Sequence, residues 1–302
     1  MMKKVVVVFI FTVSCASLIA QSNIRLNNYW ENTYYINPAS INEDYIADFS
    51  MAARKQWAGF SGSPTTFFAA GTTYLDNIHT QFGAKVSVDK IGYTSTSDIA
   101  LSYAYSFPVS DKWKLHLGLA LNYQSLSYDV SEVTFPTIDD PTIYDRLLSQ
   151  SNFNAGIGLE LTNKYWTVGA SSQNVFSIFS SINQQFSNAN FFYTRYRQYT
   201  HDFINLGFGV SAIQENKLLQ TELNIMSYFK VTPQTDAFQV GLFYRTWNEV
   251  GLLFGINLTD NIKLSYSYDY NASGISSKSY GTHELMLSYK IDRPFQCHNC
   301  WY

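Results

Sequence analysis

From Asp48 to Ile291 the chain is written in one period, and that period is two. Ile262, Leu264, Tyr266, Tyr268 and Tyr270 alternate with Lys263, Ser265, Ser267 and Asp269. Successive side chains of a strand point to opposite faces, so such a segment separates an apolar medium from a polar one. The pattern recurs about a dozen times with no helical stretch between repeats, and is most simply read as a wall around a lumen.

The other repeats agree. Ile99, Leu101, Tyr103, Tyr105 and Phe107 face away from Asp98, Ala100, Ser102, Ala104 and Ser106. Leu115, Leu117, Leu119, Leu121 and Tyr123 alternate with His116, Gly118, Ala120, Asn122 and Gln124, and Phe153 to Leu161 follows the same rule. So do Phe82 to Asp89, Ile204 to Ala212, Phe238 to Arg245 and Glu284 to Ile291. The polar face is rich in Gly, Ala, Ser and Asn, which suits a curved inner wall; the Leu/Tyr face suits lipid with interfacial aromatic girdles. Strands of about ten residues match a tilted membrane-crossing strand, whereas strands of soluble proteins average about five or six. A Tyr-rich soluble β-sandwich, the alternative allowed by composition, fits that length poorly. Charged residues make up only 14% of the chain, against roughly 25% in soluble domains, so much of the outer surface does not face water.

Lys3 and Lys4 precede the apolar run Val5 to Val13, and small residues continue to Ala20, the layout of an export signal cleaved to leave Gln21. Cys15 raises a lipoprotein alternative, but Thr12-Val-Ser14 lacks the usual leading Leu. Beyond the signal no apolar run reaches about 18 residues. In a membrane, then, only a closed barrel satisfies the backbone hydrogen bonds.

Thirteen strands are clear, but a bacterial single-chain barrel has an even number. Walking inward from both periplasmic termini puts the links Asp129 to Ser149 and Asn271 to Tyr280 outside only if one more strand lies between Asp129 and Gln198. Asn190 to Arg197 is the preferred candidate. We therefore expect a transmembrane antiparallel β-barrel of fourteen strands, with twelve as the fallback. Tight turns fall at Thr162 to Lys164, Gln214 to Asn216 and Thr259 to Asn261, and the longest links, Asp129 to Ser149 and Asn174 to Gln198, are expected on the extracellular side. The expected organisation is a signal peptide over 1–20, a periplasmic segment over 21–45, the barrel over 46–292 and a periplasmic tail over 293–302.

Chemistry is sparse. The five histidines, His79, His116, His201, His283 and His298, share no metal-ligand spacing. Gly59-Phe-Ser-Gly-Ser63 narrowly misses a serine-hydrolase elbow and lacks the strand-to-helix setting. Asp139, Asp140 and Asp145 do not match a calcium loop and read as solvated acids. A net charge of −3 gives nucleic acid no basic stripe. No catalytic residue, metal or cofactor is expected. Cys297 and Cys300 form a lone Cys-x-x-Cys; an oxidising periplasm favours a disulfide, with half a zinc site or a redox pair as alternatives.

Three stretches remain. They are Tyr35-Ile-Asn37-Pro38-Ala39; Arg54-Lys-Gln56-Trp57-Ala-Gly59-Phe-Ser-Gly-Ser-Pro64-Thr65 with Asp89-Lys-Ile-Gly92; and Tyr266-Ser-Tyr268-Asp269 with Gly281-Thr-His283-Glu284. Gly59, Gly62 and Pro64 would make a good turn in any barrel, and Trp57 suits a girdle position. With Phe49, Met51 and Ala53 on the lipid face, Arg54 points into the lumen with Ala52 and Gln56, where it needs an acidic partner from Asp89, Asp269 or Glu284. In order and spacing the three stretches resemble the PorP/SprF family of outer-membrane proteins of the type IX secretion system. Thr282 replaces the family's usual Ser, and the early segment lacks the usual Gly after Asn-Pro-Ala. The resemblance implies a non-enzymatic barrel of the secretion or gliding machinery, partnered by outer-membrane lipid, by periplasmic ring lipoproteins and translocon, and by secreted adhesins or other cargo. The alternative is a passive diffusion channel; a hydrolase would need a nucleophile and base that the chain does not display.

Overall fold

A computed structural model describes residues 25–59, 61–129, 150–179, 186–215, 218–232, 235–246, 248–272 and 279–293. Fourteen antiparallel strands close into a barrel. They are β1 (Tyr45–Lys55), β2 (Thr65–Leu75), β3 (Thr80–Ile91), β4 (Thr94–Pro108), β5 (Lys114–Tyr128), β6 (Gln150–Thr162) and β7 (Trp166–Gln173), followed by β8 (Ala189–Arg197), β9 (Ile204–Glu215), β10 (Leu218–Thr232), β11 (Thr235–Arg245), β12 (Glu249–Asn257), β13 (Ile262–Asn271) and β14 (Thr282–Asp292). Each strand pairs with the next, and β14 returns to β1 with Arg54 opposite Glu284. Closure leaves no unpaired sheet edge, the condition for strands to cross a bilayer.

The alternation settles which face is which. On β5, Leu119 and Leu121 are 61% and 69% exposed, while His116 and Ala120 on the opposite face are buried. The Leu, Phe and Tyr side chains form the outer surface and the small and polar ones line the interior, as the sequence pattern requires. The strand inferred from parity is β8, and it takes its place between β7 and β9. The stretch from Asn174 to Gln198 is consequently not one loop: its first part, 174–188, joins β7 to β8 at one end, and 198–203 joins β8 to β9 at the other. Strand β9 also runs on through Gln214 and Glu215, which were expected in a turn. The chain enters β1 and leaves β14 at the end of the short connections 76–79, 109–113 and 163–165. The links 129–149, 174–188 and 272–281 emerge at the opposite end, the extracellular one by the usual asymmetry of such barrels.

One expectation is overturned. Residues 25–44, assigned to a periplasmic segment, lie inside the barrel. Leu26, Tyr29, Trp30, Tyr35 and Ile36 pack with Ala52, Phe68, Phe191, Tyr193 and Met286 of the inner wall in one hydrophobic cluster. Tyr35 meets Phe68 edge-on at 5.0 Å between ring centres. The physical reason is composition: between Arg25 and Ala39 only Arg25 and Glu31 are charged, against four aromatic residues, Tyr29, Trp30, Tyr34 and Tyr35. A solvated segment needs more charge than that. The fit is close, with a cavity of about 20 Å³ between the segment and the wall near Arg25 and Phe191. Asn27 lies among the extracellular ends of β13 and β14, and Glu43 beside the periplasmic ends of β4 and β5, so the segment descends the lumen.

Candidate functional site

The lumen is a polar lock around this N-terminal segment, whose first half is held by buried charge. Two 3-10 turns, Asn27–Trp30 and Thr33–Tyr35, fold the segment tightly and leave backbone N–H groups without partners in the turn. The Glu284 carboxylate fills that need: it accepts the Asn27 N–H at 2.7 Å and the Asn28 N–H at 2.8 Å, and the Asn28 side-chain amide at 2.9 Å. Asn27 Nδ2 donates to Asp269 at 2.7 Å. Arg54 lies between the two acids, 3.5 Å from Glu284 and 3.6 Å from Asp269, and donates to Asn27 Oδ1 at 2.9 Å. All of these side chains are buried. Asp89, the third acid considered for Arg54, instead accepts from Thr66 at 2.5 Å.

Beside this cluster stands a second one that motif reading missed. Arg245, 1% exposed, pairs with Glu222 at 2.5 Å and Glu249 at 3.0 Å and also donates to Asn27 Oδ1 at 3.1 Å. Glu222 accepts the Trp30 indole N–H at 2.7 Å and the Tyr29 hydroxyl at 3.1 Å. The available signal was charge at inward positions of a membrane strand, which is rare without a partner.

The second half of the segment is held by shape and by backbone acceptors. Asn37 Nδ2 donates to the Leu159 carbonyl and to the Tyr193 hydroxyl, both at 3.0 Å, while its Oδ1 accepts from Ala39 N–H at 2.9 Å. Pro38 and Ala39 lie flat on Gly118: a Cβ there would sit 2.4 Å from their backbone. A Cβ on Gly158 would sit 1.9 Å from Asn37 Oδ1. The two wall glycines therefore supply the groove that the Asn-Pro-Ala turn occupies. Lys85 and Ser171 donate to the carbonyls of Tyr35 and Ile36, at 2.8 and 2.7 Å.

At the periplasmic mouth Glu43 takes hydrogen bonds from Ser106 and Lys114 and lies 3.4 Å from His116. Fully buried His116 lies equally far from Glu160 on its other side. Burial pushes the Glu43 carboxyl up, but His116, Lys114 and Ser106 together outweigh it and hold the pKa at about 2.

The remaining motif residues converge on the extracellular rim. Gln56 N–H closes the β1–β2 hairpin on the Pro64 carbonyl at 2.9 Å, and Trp57 N–H approaches Thr282 Oγ1 at 3.4 Å. Ala58, next to Gly59, donates to the Gly281 carbonyl, and Gly92 donates to the Gly62 carbonyl. Gly281 has φ +83°, and a Cβ there would meet the Tyr268 ring at 2.6 Å, so only glycine fits. His283 faces outward and shares a hydrogen bond of 2.7 Å with the Tyr266 hydroxyl. The signal region 1–20, residues 130–149 with Asp139, Asp140 and Asp145, and the tail with Cys297 and Cys300 lie outside the described residues. Among the described residues no three His, Cys, Asp or Glu side chains are placed to share a metal.

Comparison with solved structures shows the fold. The Ralstonia pickettii toluene transporter TbuX has a TM-score of 0.54 at 12% identity, over 86% of this chain and 93% of that one. A mutant of the monoaromatic hydrocarbon channel TodX has a TM-score of 0.50 at 9% identity, over 87% and 94%. The Acinetobacter baumannii outer-membrane protein Omp33 aligns at 0.47 and 11% identity, over 82% of this chain and 100% of that one. No curated protein matches the chain. The family described as type IX secretion system membrane protein PorP/SprF matches residues 18–289. A closed outer-membrane barrel carrying that match across almost its whole length belongs to the PorP/SprF family.

Proposed function

We propose that this outer-membrane component of type IX secretion works as a filled, non-enzymatic scaffold that helps secrete or anchor surface proteins. The observation that carries this reading is the attachment of residues 25–44 to opposite walls of the lumen. Asn27 and Asn28 bond β13 and β14, Trp30 bonds β10, and Asn37 bonds β6 and β8. A diffusion channel needs an open lumen, and this one is occupied by a segment bonded to buried ion pairs of the wall. Cargo or an adhesin would then be met by the extracellular links and rim, and the ring lipoproteins by the short turns and the tail at 293–302.

Two measurements test it. In planar bilayers the purified protein is expected to show no steady open-channel current; a stable conductance would support the porin reading instead. Cross-linked pull-downs from the native outer membrane are expected to recover type IX components or a surface protein. Recovery of neither would remove the secretion role from this chain.

A further inference from the structure

The outer wall carries a second constellation, on β14, β1, β2 and β3 just below the extracellular rim. Strand register aligns His283, Lys55, Thr65 and Lys90 in one cross-strand row on the outward face. Adjacent strands lie about 4.8 Å apart, so the two lysine backbones are roughly 10 Å from each other. Lys55 is steadied by the Ser63 carbonyl and Thr65 Oγ1, both at 2.9 Å. Outward positions of these four strands hold no acidic residue. The row is therefore a concentration of positive charge facing the lipid boundary.

Immediately beneath it the wall is hollow. The next two rows down are Leu285–Ala53–Phe67–Val88 and Leu287–Met51–Ala69–Val86. Ala53 and Ala69 are too short to fill the space between their larger neighbours, which leaves an apolar concavity of about 390 Å³. That volume falls within the roughly 300–1,000 Å³ of ligand pockets. On β5, by contrast, the outward positions carry large side chains such as Leu119 and Leu121. A cationic row at head-group height directly above an apolar hollow has the polarity of one kind of molecule.

We propose that this site binds a phosphate-bearing lipid of the outer leaflet. Its phosphate lies against Lys55 and Lys90, and an acyl chain occupies the hollow over Ala53 and Ala69. Charge complementarity favours a phospholipid or phosphoglycolipid over an apolar protein segment, which would leave the two lysines without an anionic partner.

The test uses the full mature protein in phosphatidylcholine nanodiscs with bis-phosphorylated lipid A as probe, read by native mass spectrometry. Wild-type protein should retain the probe. Lys55→Gln with Lys90→Gln should weaken retention by roughly thirtyfold, about fivefold for each cation beside an anionic head group. Ala69→Phe, which fills the hollow and leaves both lysines in place, should weaken it as well. Unchanged heat-modifiable migration on gels shows that each variant still forms the barrel. Equal retention by all three proteins, or equal retention of a dephosphorylated lipid A, overturns the site. So does a photo-cross-linker at position 69 that captures a polypeptide rather than lipid in the native membrane.

Discussion

The first and second halves of the luminal segment sit in the same barrel but are held by different forces. Residues 25–32 are fastened by charge: two arginines, four acids and the asparagines between them, all buried except the half-buried Glu249. Residues 33–44 are fastened mainly by fit, with Pro38 and Ala39 on wall glycines and backbone carbonyls as acceptors. Charge networks fail abruptly, because removing one member leaves another buried and unpaired. Close packing fails by degree, according to how far the wall can give. The first half should therefore behave as a latch and the second half as a wedge.

The largest effect is expected where the latch has most to lose. Glu284→Ala removes the acceptor of two backbone N–H groups and one partner of Arg54, and breaking a buried pair in this way costs about 3–5 kcal/mol. Hydrogen–deuterium exchange should show residues 25–32 opening far more readily, while 36–41 change little. If both halves open together, the segment is one cooperative unit and the division is wrong.

Next comes the wedge. Gly118→Ala places a methyl group against the backbone of Pro38 and Ala39, which unlike a flexible side chain cannot swing away. Overpacking of this kind costs about 1–3 kcal/mol. Limited proteolysis should now cut near Asn37 while the Asn27 region stays protected. A smaller change sharpens the latch itself. Trp30→Phe keeps an aromatic side chain, though a smaller one, and removes the N–H bond to Glu222. Because Arg245 still neutralises that acid, the loss should be about 1 kcal/mol in exchange protection.

These contrasts were unevenly legible in the sequence. The wall was plain, because period two fixes both faces of every strand, and parity alone exposed β8 among residues that look like a loop. The luminal segment was hidden because it has no period. Its Asn, Tyr and Trp content excludes a solvated tail but does not say which wall receives it. Arg54 announced a need for an acid, and of its three candidates Glu284 stands on β14, which closure pairs with β1, and Asp269 on β13 beyond it. Arg245 and Glu222 were harder, since their pairing depends on the register of β10 against β11. The rim motif likewise comes from three distant stretches that meet only once β14 closes on β1.

The smallest effect expected is at the periplasmic mouth, where Glu43 anchors the last turn of the segment before β1. Its carboxyl is held at about 2, below the ordinary 4.5, so its contribution to stability is present in full above pH 4.5. As the pH falls from 4.5 toward 2 the unfolded form takes up the proton first, and the contribution is lost across that window. The site is partly open to water, which screens the interaction and keeps it weaker than the buried latch. Acidification through this window should raise exchange at residues 40–44, and Glu43→Gln should give the same rise at neutral pH and remove most of its acid dependence. An acid response that persists in Glu43→Gln would move the titrating group elsewhere.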